Sequence, residues 1–328
     1  MSKTGTFLLA VGLFLFLVSS GMAQIQIPPN EELEDIIVAI GVQGIDIFNV
    51  SDPTNPEHLS NLEPAGWDLD ATGGDLFVKD NYAYVANVQN GLVIVDISDP
   101  TDPKEVGHYD TAGWAWDVYV KDNYAYVADL YNGLVILDVS DPTDPKEVGH
   151  YDTAGSVYVK DNYAYVANGE NGVVILDISA PSDPKEVGHY DTYGASGVFV
   201  KDNYAYVADS DNGLVIIDIS DPSDPKEVGH YETEGGASDV FVKDNYAYVA
   251  ELYYGLVIVD VSSPTEPKEV GHYETESGAG DVYVKNNYAF MPDGSYGLVI
   301  VDISDPKNPT LTFDMPQFMF FLFGISGN

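Results

Sequence analysis

Four aspartates recur at matching positions, each just before a short alternation of apolar and polar residues: Asp75, Asp117, Asp239 and Asp281. Calcium prefers about six to eight oxygen ligands, and a ring of carboxylates could hold such an ion and let it activate water. Alternatively, each aspartate accepts a hydrogen bond from a neighbouring backbone N–H. The pattern therefore defines a candidate calcium site, and no other cofactor is indicated.

A second group of candidate functional residues consists of aromatic residues in segments that lack strand alternation. They are Trp67, Trp114, Trp116, Tyr131, Tyr193, Tyr253, Tyr254 and Tyr296. Exposed aromatic side chains anchor protein interfaces, and their faces also stack on sugar rings. The alternative for Trp114 and Trp116 is that they fill space between neighbouring structural units. We interpret the eight as candidate ligand-binding residues.

Nucleophilic catalysis is not indicated. The chain has no cysteine and no Gly-x-Ser-x-Gly motif. The histidines at five equivalent repeat positions are expected on the surface or between units, too far apart to share a metal ion: His108, His150, His189, His230 and His272. We therefore predict no catalytic residues.

These residues belong to a repeat that dominates the chain. A segment reading Gly-Leu-Val-Ile-Val-Asp, or a close variant, begins at six glycines spaced 39 to 42 residues apart, and a weaker copy begins at Gly44. The six are Gly91, Gly133, Gly172, Gly213, Gly255 and Gly297. Repeats of about 40 to 45 residues that carry several short strands are typical of propeller blades. Seven copies predict seven blades.

One repeat shows how a blade is built. Residues 117–121 and 124–128 alternate and are joined by Asp122-Asn123, which suits a tight hairpin. Residues 134–137 are apolar throughout, as expected of a strand covered on both faces. Residues 146–152 are the most polar and fit the outer edge. The predicted order therefore runs from the channel outward.

The ends of the chain predict how the ring closes. Residues 36–63 supply only three strands of a blade, and the apolar residues 318–324 could supply the missing inner strand. The alternative is an open array with this tail exposed, which would invite aggregation. We predict an all-β, seven-bladed β-propeller of four-stranded antiparallel blades, closed by the C-terminal strand completing the first blade, as one domain over residues 36–328.

The first 23 residues resemble a signal peptide. Lys3 precedes an apolar run at residues 7–18, and Gly21-Met22-Ala23 provides small residues for cleavage. The alternative is an uncleaved anchor, but the run is shorter than the ~20 residues a membrane helix needs. We expect a linker at residues 24–35, no membrane insertion after cleavage, and an exported protein that is extracellular, cell-surface or periplasmic.

Charge narrows the choice of partner. The formal net charge is −40, and all 13 cationic residues are lysine. Nucleic acids and anionic lipids require clustered cations, so we exclude both as partners. An extracellular protein or polysaccharide remains as the expected partner of a monomer. Alternatively, the carboxylates only keep the protein soluble.

The strings Gly-Leu-Val-Ile-Val-Asp-Ile-Ser-Asp-Pro at residues 91–100 and 297–306 resemble the core of the LVIVD repeat family. Asn-Tyr-Ala-Tyr-Val-Ala at residues 123–128 resembles its second motif. The resemblance covers roughly residues 36–313. It implies a β-propeller, usually on exported or cell-surface proteins of bacteria and archaea, without agreed catalytic residues.

Differences between copies indicate where function lies. The loop after each second strand and the link into each first strand vary, and both are predicted on one face of the disc, whereas the opposite face is nearly invariant. Neutral drift after duplication would give the same contrast. We predict a non-catalytic scaffold that binds protein or glycan through the variable loops. The alternative is a calcium-dependent propeller hydrolase with an axial acidic metal site.

Overall fold

The computed structural model describes residues 36–41, 44–67, 74–293, 297–314 and 326–327. These residues form seven four-stranded antiparallel sheets, which confirms the predicted all-β propeller. Within these ranges no helix reaches the length and apolar character of a membrane span. The proposed signal peptide and linker lie outside the described residues.

Each sheet is one blade, numbered here in chain order. Blade 1 contains β1 (Ile36–Gly41), β2 (Gly44–Asn49), β3 (Glu57–Leu62) and β28 (Ser326–Gly327). Blade 2 contains β4 (Leu76–Lys79), β5 (Tyr82–Ala86), β6 (Leu92–Asp96) and β7 (Lys104–Tyr109). Blade 3 contains β8 (Ala115–Lys121), β9 (Tyr124–Asp129), β10 (Gly133–Asp138) and β11 (Lys146–Tyr151). Blade 4 contains β12 (Ser156–Lys160), β13 (Tyr163–Ala167), β14 (Val173–Asp177) and β15 (Lys185–Tyr190).

The remaining blades follow the same plan. Blade 5 contains β16 (Ala195–Lys201), β17 (Tyr204–Asp209), β18 (Gly213–Asp218) and β19 (Lys226–Tyr231). Blade 6 contains β20 (Ala237–Lys243), β21 (Tyr246–Glu251), β22 (Gly255–Asp260) and β23 (Lys268–Glu274). Blade 7 contains β24 (Tyr283–Lys285), β25 (Tyr288–Asp293), β26 (Gly297–Asp302) and β27 (Thr310–Asp314).

The predicted order within a blade is confirmed. First strands of successive blades contact one another around the axis, and fourth strands form the outer edge. In blades 2 to 7 the third strand is apolar up to its final aspartate, because each face packs on a different neighbour. In β18, Val215 and Ile217 pack towards blade 4, whereas Leu214 and Ile216 pack towards blade 6. Stacking of blades therefore builds the core.

Tight hairpins join the first and second strands. Asp122 has φ of 52° and lies at the turn between β8 and β9. Short polar side chains tolerate this left-handed region better than bulkier ones. The same conformation occurs at Asp80, Asp161, Asp202, Asp244 and Asn286.

Polar contacts between blades follow the same period. The Lys121 ammonium donates to the carbonyl oxygen of Asp161, in the corresponding hairpin of blade 4. At the rim, the Tyr109 hydroxyl donates to Glu147 Oε2 at 2.7 Å, and burial together with this carboxylate raises the pKa of Tyr109 to about 12. Each repeat thus supplies one half of a contact that its neighbour completes.

In blades 2 to 7, the channel side of the first strand has three levels. In blade 3, Asp117 lies nearest the variable loops, Tyr119 follows, and Lys121 lies at the opposite mouth, because alternate strand residues share a face. The aromatic level is continuous, with neighbouring ring centroids 4.7 to 5.1 Å apart. Its members are Phe77, Tyr119, Tyr158, Phe199, Phe241 and Tyr283. This belt narrows the channel.

The C-terminal segment closes the ring. In β28, Ser326 pairs with Ile40 and Gly327 pairs with Ala39, antiparallel to β1. The predicted closure by a C-terminal strand is confirmed, and the described pairing uses Ser326–Gly327. The phenylalanine-rich residues 318–324, from which closure was predicted, lie outside the described residues.

Candidate functional site

The variable loops lie on one face of the disc, as predicted. Leu130 N, after the second strand of blade 3, donates to Trp114 O in the link that enters the same blade, at 2.9 Å. Blade 6 repeats the contact between Leu252 N and Gly236 O at 3.0 Å. We call the surface formed by these loops and links the variable face.

Five of the eight predicted aromatic residues are exposed on this face: Trp114, Tyr131, Tyr193, Tyr253 and Tyr254. Tyr131, Tyr193 and Tyr253 are the most prominent, at 72%, 78% and 76% exposure. Large apolar surfaces of this kind commonly mark interaction sites when they cluster. The variable face therefore presents aromatic side chains from several blades.

The other three predicted residues are placed differently. Trp67 is partly buried and packs against a core cluster with Leu59 and Leu62. Trp116 is partly buried and is the extra residue of a bulge in β8, where pairing passes from Ala115–Asp129 to Asp117–Ala128. Tyr296 lies outside the described residues. Trp67 therefore contributes mainly to packing, whereas Trp116 reaches a surface groove.

Two exposed aromatic rings of blade 3 form a pair on a rigid base. Trp114 and Tyr131 meet edge to face, with centroids 5.3 Å apart. Beneath them, fully buried Asp129 accepts hydrogen bonds at Oδ1 from Trp114 N and Tyr131 N, both at 2.9 Å. Its Oδ2 accepts from the Thr111 hydroxyl at 2.6 Å. Asp129 was not among the predicted residues, although the sequence places it directly after the second strand.

A groove of about 520 Å³ lies beside this pair, across blades 3 to 5. Trp116, Leu130 and Tyr193 form its apolar walls, and Ser196 and Ser210 add hydroxyl groups. Apolar walls with a few polar groups are typical of ligand-binding concavities. The groove therefore joins two of the predicted aromatic residues in one concave surface.

The four predicted metal ligands lie together inside the channel rather than at an open mouth. Asp75, Asp117, Asp239 and Asp281 are all buried. They associate in pairs, with hydrogen bonding between the carboxyl groups of Asp75 and Asp117 and between those of Asp239 and Asp281. Within the described ranges, no three His, Cys, Asp or Glu side chains are grouped closely enough to hold a metal ion.

Burial decides the ionisation of these carboxyl groups. It raises the pKa of Asp117, Asp239 and Asp281, and the neighbouring charge of Asp239 raises that of Asp281 further. Backbone donors oppose this rise, including Val157 N, which donates to Asp117 Oδ2 at 2.6 Å. A proton held within each pair would satisfy Asp117 Oδ1 and Asp281 Oδ2, to which no described N–H or O–H group donates.

The repeated histidines lie on the exposed outer strands, as expected. In three blades the imidazole Nε2 donates to a backbone carbonyl oxygen of the same blade at 2.6 Å: His108 to Asn90, His189 to Asn171 and His230 to Asn212. These contacts hold the loop after the second strand against the rim. They give these three histidines a structural role.

Comparison with solved structures supports the fold alone. The crystal structure of the computationally designed Ika8 protein is similar, with a TM-score of 0.63 and 12% sequence identity, over 92% of this chain and 90% of that chain. It is one of 924 matching chains, and a fold this widespread does not specify a function. No match was found among curated proteins.

The repeats themselves identify the family. The family model for the LVIVD repeat matches six segments: residues 72–111, 112–153, 154–192, 194–233, 234–275 and 278–315. Each segment contains the link and four strands of one blade, from blade 2 to blade 7. Blade 1 is the unmatched one, since its strands come from both ends of the described chain. The chain belongs to the LVIVD repeat family.

Proposed function

We propose that the protein is an exported, non-catalytic propeller scaffold that binds an extracellular protein or polysaccharide through its variable face. The observation that carries the proposal is the set of exposed aromatic side chains on this face. Tyrosine and tryptophan bury large areas on binding and lose little conformational entropy. The opposite face instead repeats the same hairpins and inter-blade contacts.

Rigidity supports the proposal. Trp114 and Tyr131 are held by hydrogen bonds from their backbones to buried Asp129. A preorganised binding surface has less freedom to lose when a ligand binds. The blade stack beneath provides the rigid support that the aromatic side chains need.

The proposal is tested by replacing Trp114 and Tyr131 with alanine together. We expect binding to extracted envelope material to fall at least about tenfold, because hot-spot aromatic residues contribute ~2 kcal/mol or more. Digesting the envelope with protease or with glycosidases separates a protein partner from a polysaccharide. Leu311→Ala is the control, since Leu311 is 49% exposed on β27 at the rim. Unchanged binding by the double variant would contradict the proposal.

The calcium-dependent hydrolase remains a second candidate because Asp117 Oδ1 and Asp281 Oδ2 are buried without a donor among the described groups. Calorimetric titration with calcium tests it. Uptake that disappears in Asp117→Ala and Asp239→Ala would support an axial ion site. Absence of uptake by the unmodified protein would remove this candidate.

A further inference from the structure

A small pocket of about 150 Å³ opens on the variable face between blades 5 and 6. Four glutamates and two tyrosines dominate its wall: Glu234, Glu251, Glu269, Glu274, Tyr231 and Tyr254. The wall contains four carboxyl groups and no lysine, together with the imidazole of His272, in a chain of net charge −40. The pocket is therefore a small, strongly anionic cavity with aromatic sides.

The base of the pocket contains polar groups that the fold itself leaves incompletely satisfied. Glu251 is 2% exposed, and its Oε1 accepts from Gly235 N at 3.1 Å. No cationic side chain among the described residues lies within ion-pairing distance of Glu251. Thr233 Oγ1, in the same wall, is buried without a hydrogen-bond partner in the described structure. A buried carboxylate and a free hydroxyl thus face one cavity.

In blade 3, the residue at the repeat position of Glu251 has a structural role. Its counterpart of Glu251 is Asp129, whose shorter side chain is saturated by backbone donors and by the hydroxyl of Thr111, the counterpart of Thr233. The extra methylene of glutamate distinguishes blade 6. The hydroxyl of Thr233 has no described partner, and the same holds for the equivalent Thr192 and Thr275. The acid is retained, but its hydrogen-bond donors fall from the four of Asp129 to the backbone groups of Gly235 and Glu234.

Two further differences distinguish blade 6 beside the pocket. Blades 2 to 5 have asparagine before the third-strand glycine, whereas blade 6 has Tyr254. In three of those blades the outer-strand histidine bonds the carbonyl oxygen of that asparagine. In blade 6, His272 instead places Nδ1 3.1 Å from Glu269 Oε1, and its side chain is 61% exposed. Tyr254 then forms a wall of the space between loop and rim.

We propose that this pocket binds an organic cation, either a lysine or arginine side chain presented by a partner protein or a free polyamine. Several N–H donors on one cation can reach carboxylates around the wall. The faces of Tyr231 and Tyr254 offer cation–π contacts, and the anionic surface steers cations towards the pocket. A metal ion fits less well, because no three acids or histidines of the described chain are grouped around one point.

This inference deepens the proposed function and rests on it, since the pocket lies on the same variable face. Its test uses purified protein and small probes, so it does not depend on envelope material. Calorimetric titration with cadaverine, N-acetyl-lysine amide and N-acetyl-arginine amide should detect binding. N-acetyl-norleucine amide, which has a similar stem without the charge, should not bind. Preference for the amino-acid probes indicates a protein side chain, and preference for cadaverine indicates a free polyamine.

Variants locate the site. Glu251→Gln should weaken cation binding about tenfold or more, the range expected for loss of a charge-assisted contact. Glu170→Gln, in the corresponding exposed loop of blade 4, is the matched control and should bind normally. Tyr254→Asn introduces the residue of blades 2 to 5 and should also weaken binding, which keeps the inference testable if Glu251→Gln does not fold.

Two results would overturn the inference. One is that the unmodified protein binds no cation, and the other is that Glu251→Gln and Tyr254→Asn both bind cations as tightly as the unmodified protein does. Failure of the pocket and failure of the proposed function remain distinguishable. If small cations bind but envelope material does not, the scaffold function is wrong and the pocket stands. If envelope binding requires Trp114 and Tyr131 but no cation binds, only the pocket is wrong.

Discussion

The paired aspartates of the channel couple proton binding to folding. Asp117 and Asp281 are fully buried, and burial raises the pKa of both above the ordinary aspartate value. Their neighbours Asp75 and Asp239 are carboxyl groups too, so ionisation of both members of a pair would place two negative charges in contact. The folded state therefore favours the protonated form of these carboxyl groups more than the unfolded chain does.

This predicts that stability falls as pH rises. A carboxyl whose folded pKa is raised binds its proton more tightly in the native state, so its contribution is fully present below the unfolded value of about 4 and is lost as pH rises towards the folded value. We expect the free energy of unfolding, measured with denaturant, to be higher at pH 5 than at pH 8.

Replacing Asp117 and Asp281 with asparagine should flatten this slope, because the amide resembles the protonated acid in shape. At pH 8 the double variant should gain about 1 kcal/mol or more, since removing buried charge is commonly stabilising. Asp152→Asn, at an exposed loop position, is the control and should keep the slope. A double variant as pH-dependent as the unmodified protein would show that these carboxyls are ionised in the fold.

For single residues, the sequence predicted the place of a residue in the repeat better than it predicted which groups surround that residue in the fold. The repeat aligned the four aspartates, and the structure brings them together in the channel. Their pairing was not visible, because Asp75 and Asp117 belong to different blades and meet only when the ring forms. Likewise, alternation placed Trp116 outside a regular strand, but its direction depends on a bulge that no local pattern specified.

Among the elements, the outer strand lies so close to the next blade at one position that no side chain fits there. Gly188 lies in β15, and a Cβ atom there would overlap the carbonyl oxygen of Pro222, in the Asp-Pro turn of blade 5. The corresponding glycines of four other outer strands meet the next blade in the same way: Gly107, Gly149, Gly229 and Gly271. The recurrent glycine of Lys-Glu-Val-Gly-His-Tyr is thus a packing requirement between blades.

Gly188→Ala should therefore destabilise the protein by about 2–3 kcal/mol, the cost of overpacking against backbone that cannot move away. Gly194→Ala is the matched control. A Cβ at Gly194 would meet Ser210 at 3.4 Å, an ordinary van der Waals contact. Equilibrium unfolding in denaturant measures both. Equal unfolding midpoints for the two variants would contradict the close-approach argument.

The strands themselves were predictable because local and long-range requirements agree. Asp122 tolerates the left-handed turn, and the apolar run at Leu134 fits a strand covered by two neighbours. The role of the outer-strand glycine could not be predicted from its own repeat, since the glycine is required by the Asp-Pro turn of the next repeat. Sequence patterns specify a blade more fully than they specify contacts between blades.

In the whole molecule, one blade differs from the rest because it joins the two ends of the described chain. Six family repeats build six blades, and blade 1 combines β1, β2 and β3 with β28. Counting strands predicted that a C-terminal segment must close the ring. It could not identify which residues pair, because the closing strand does not repeat the motif of the other first strands.

Removing residues 326–328 should expose the edge of β1 at Ala39 and Ile40, where β28 now pairs. Loss of these backbone hydrogen bonds should lower the free energy of unfolding by about 1–2 kcal/mol. A free strand edge also templates pairing between molecules, so the shortened protein should self-associate more. Denaturant unfolding and light scattering measure the two effects, and a variant lacking only Asn328 is the control because it keeps both paired residues. If the shortened protein and this control unfold and scatter light alike, the pairing of β28 with β1 does not hold the ring closed. Closure of the ring must then depend on other contacts between blades 1 and 7, such as the shared core of Ile37, Phe48 and Phe290.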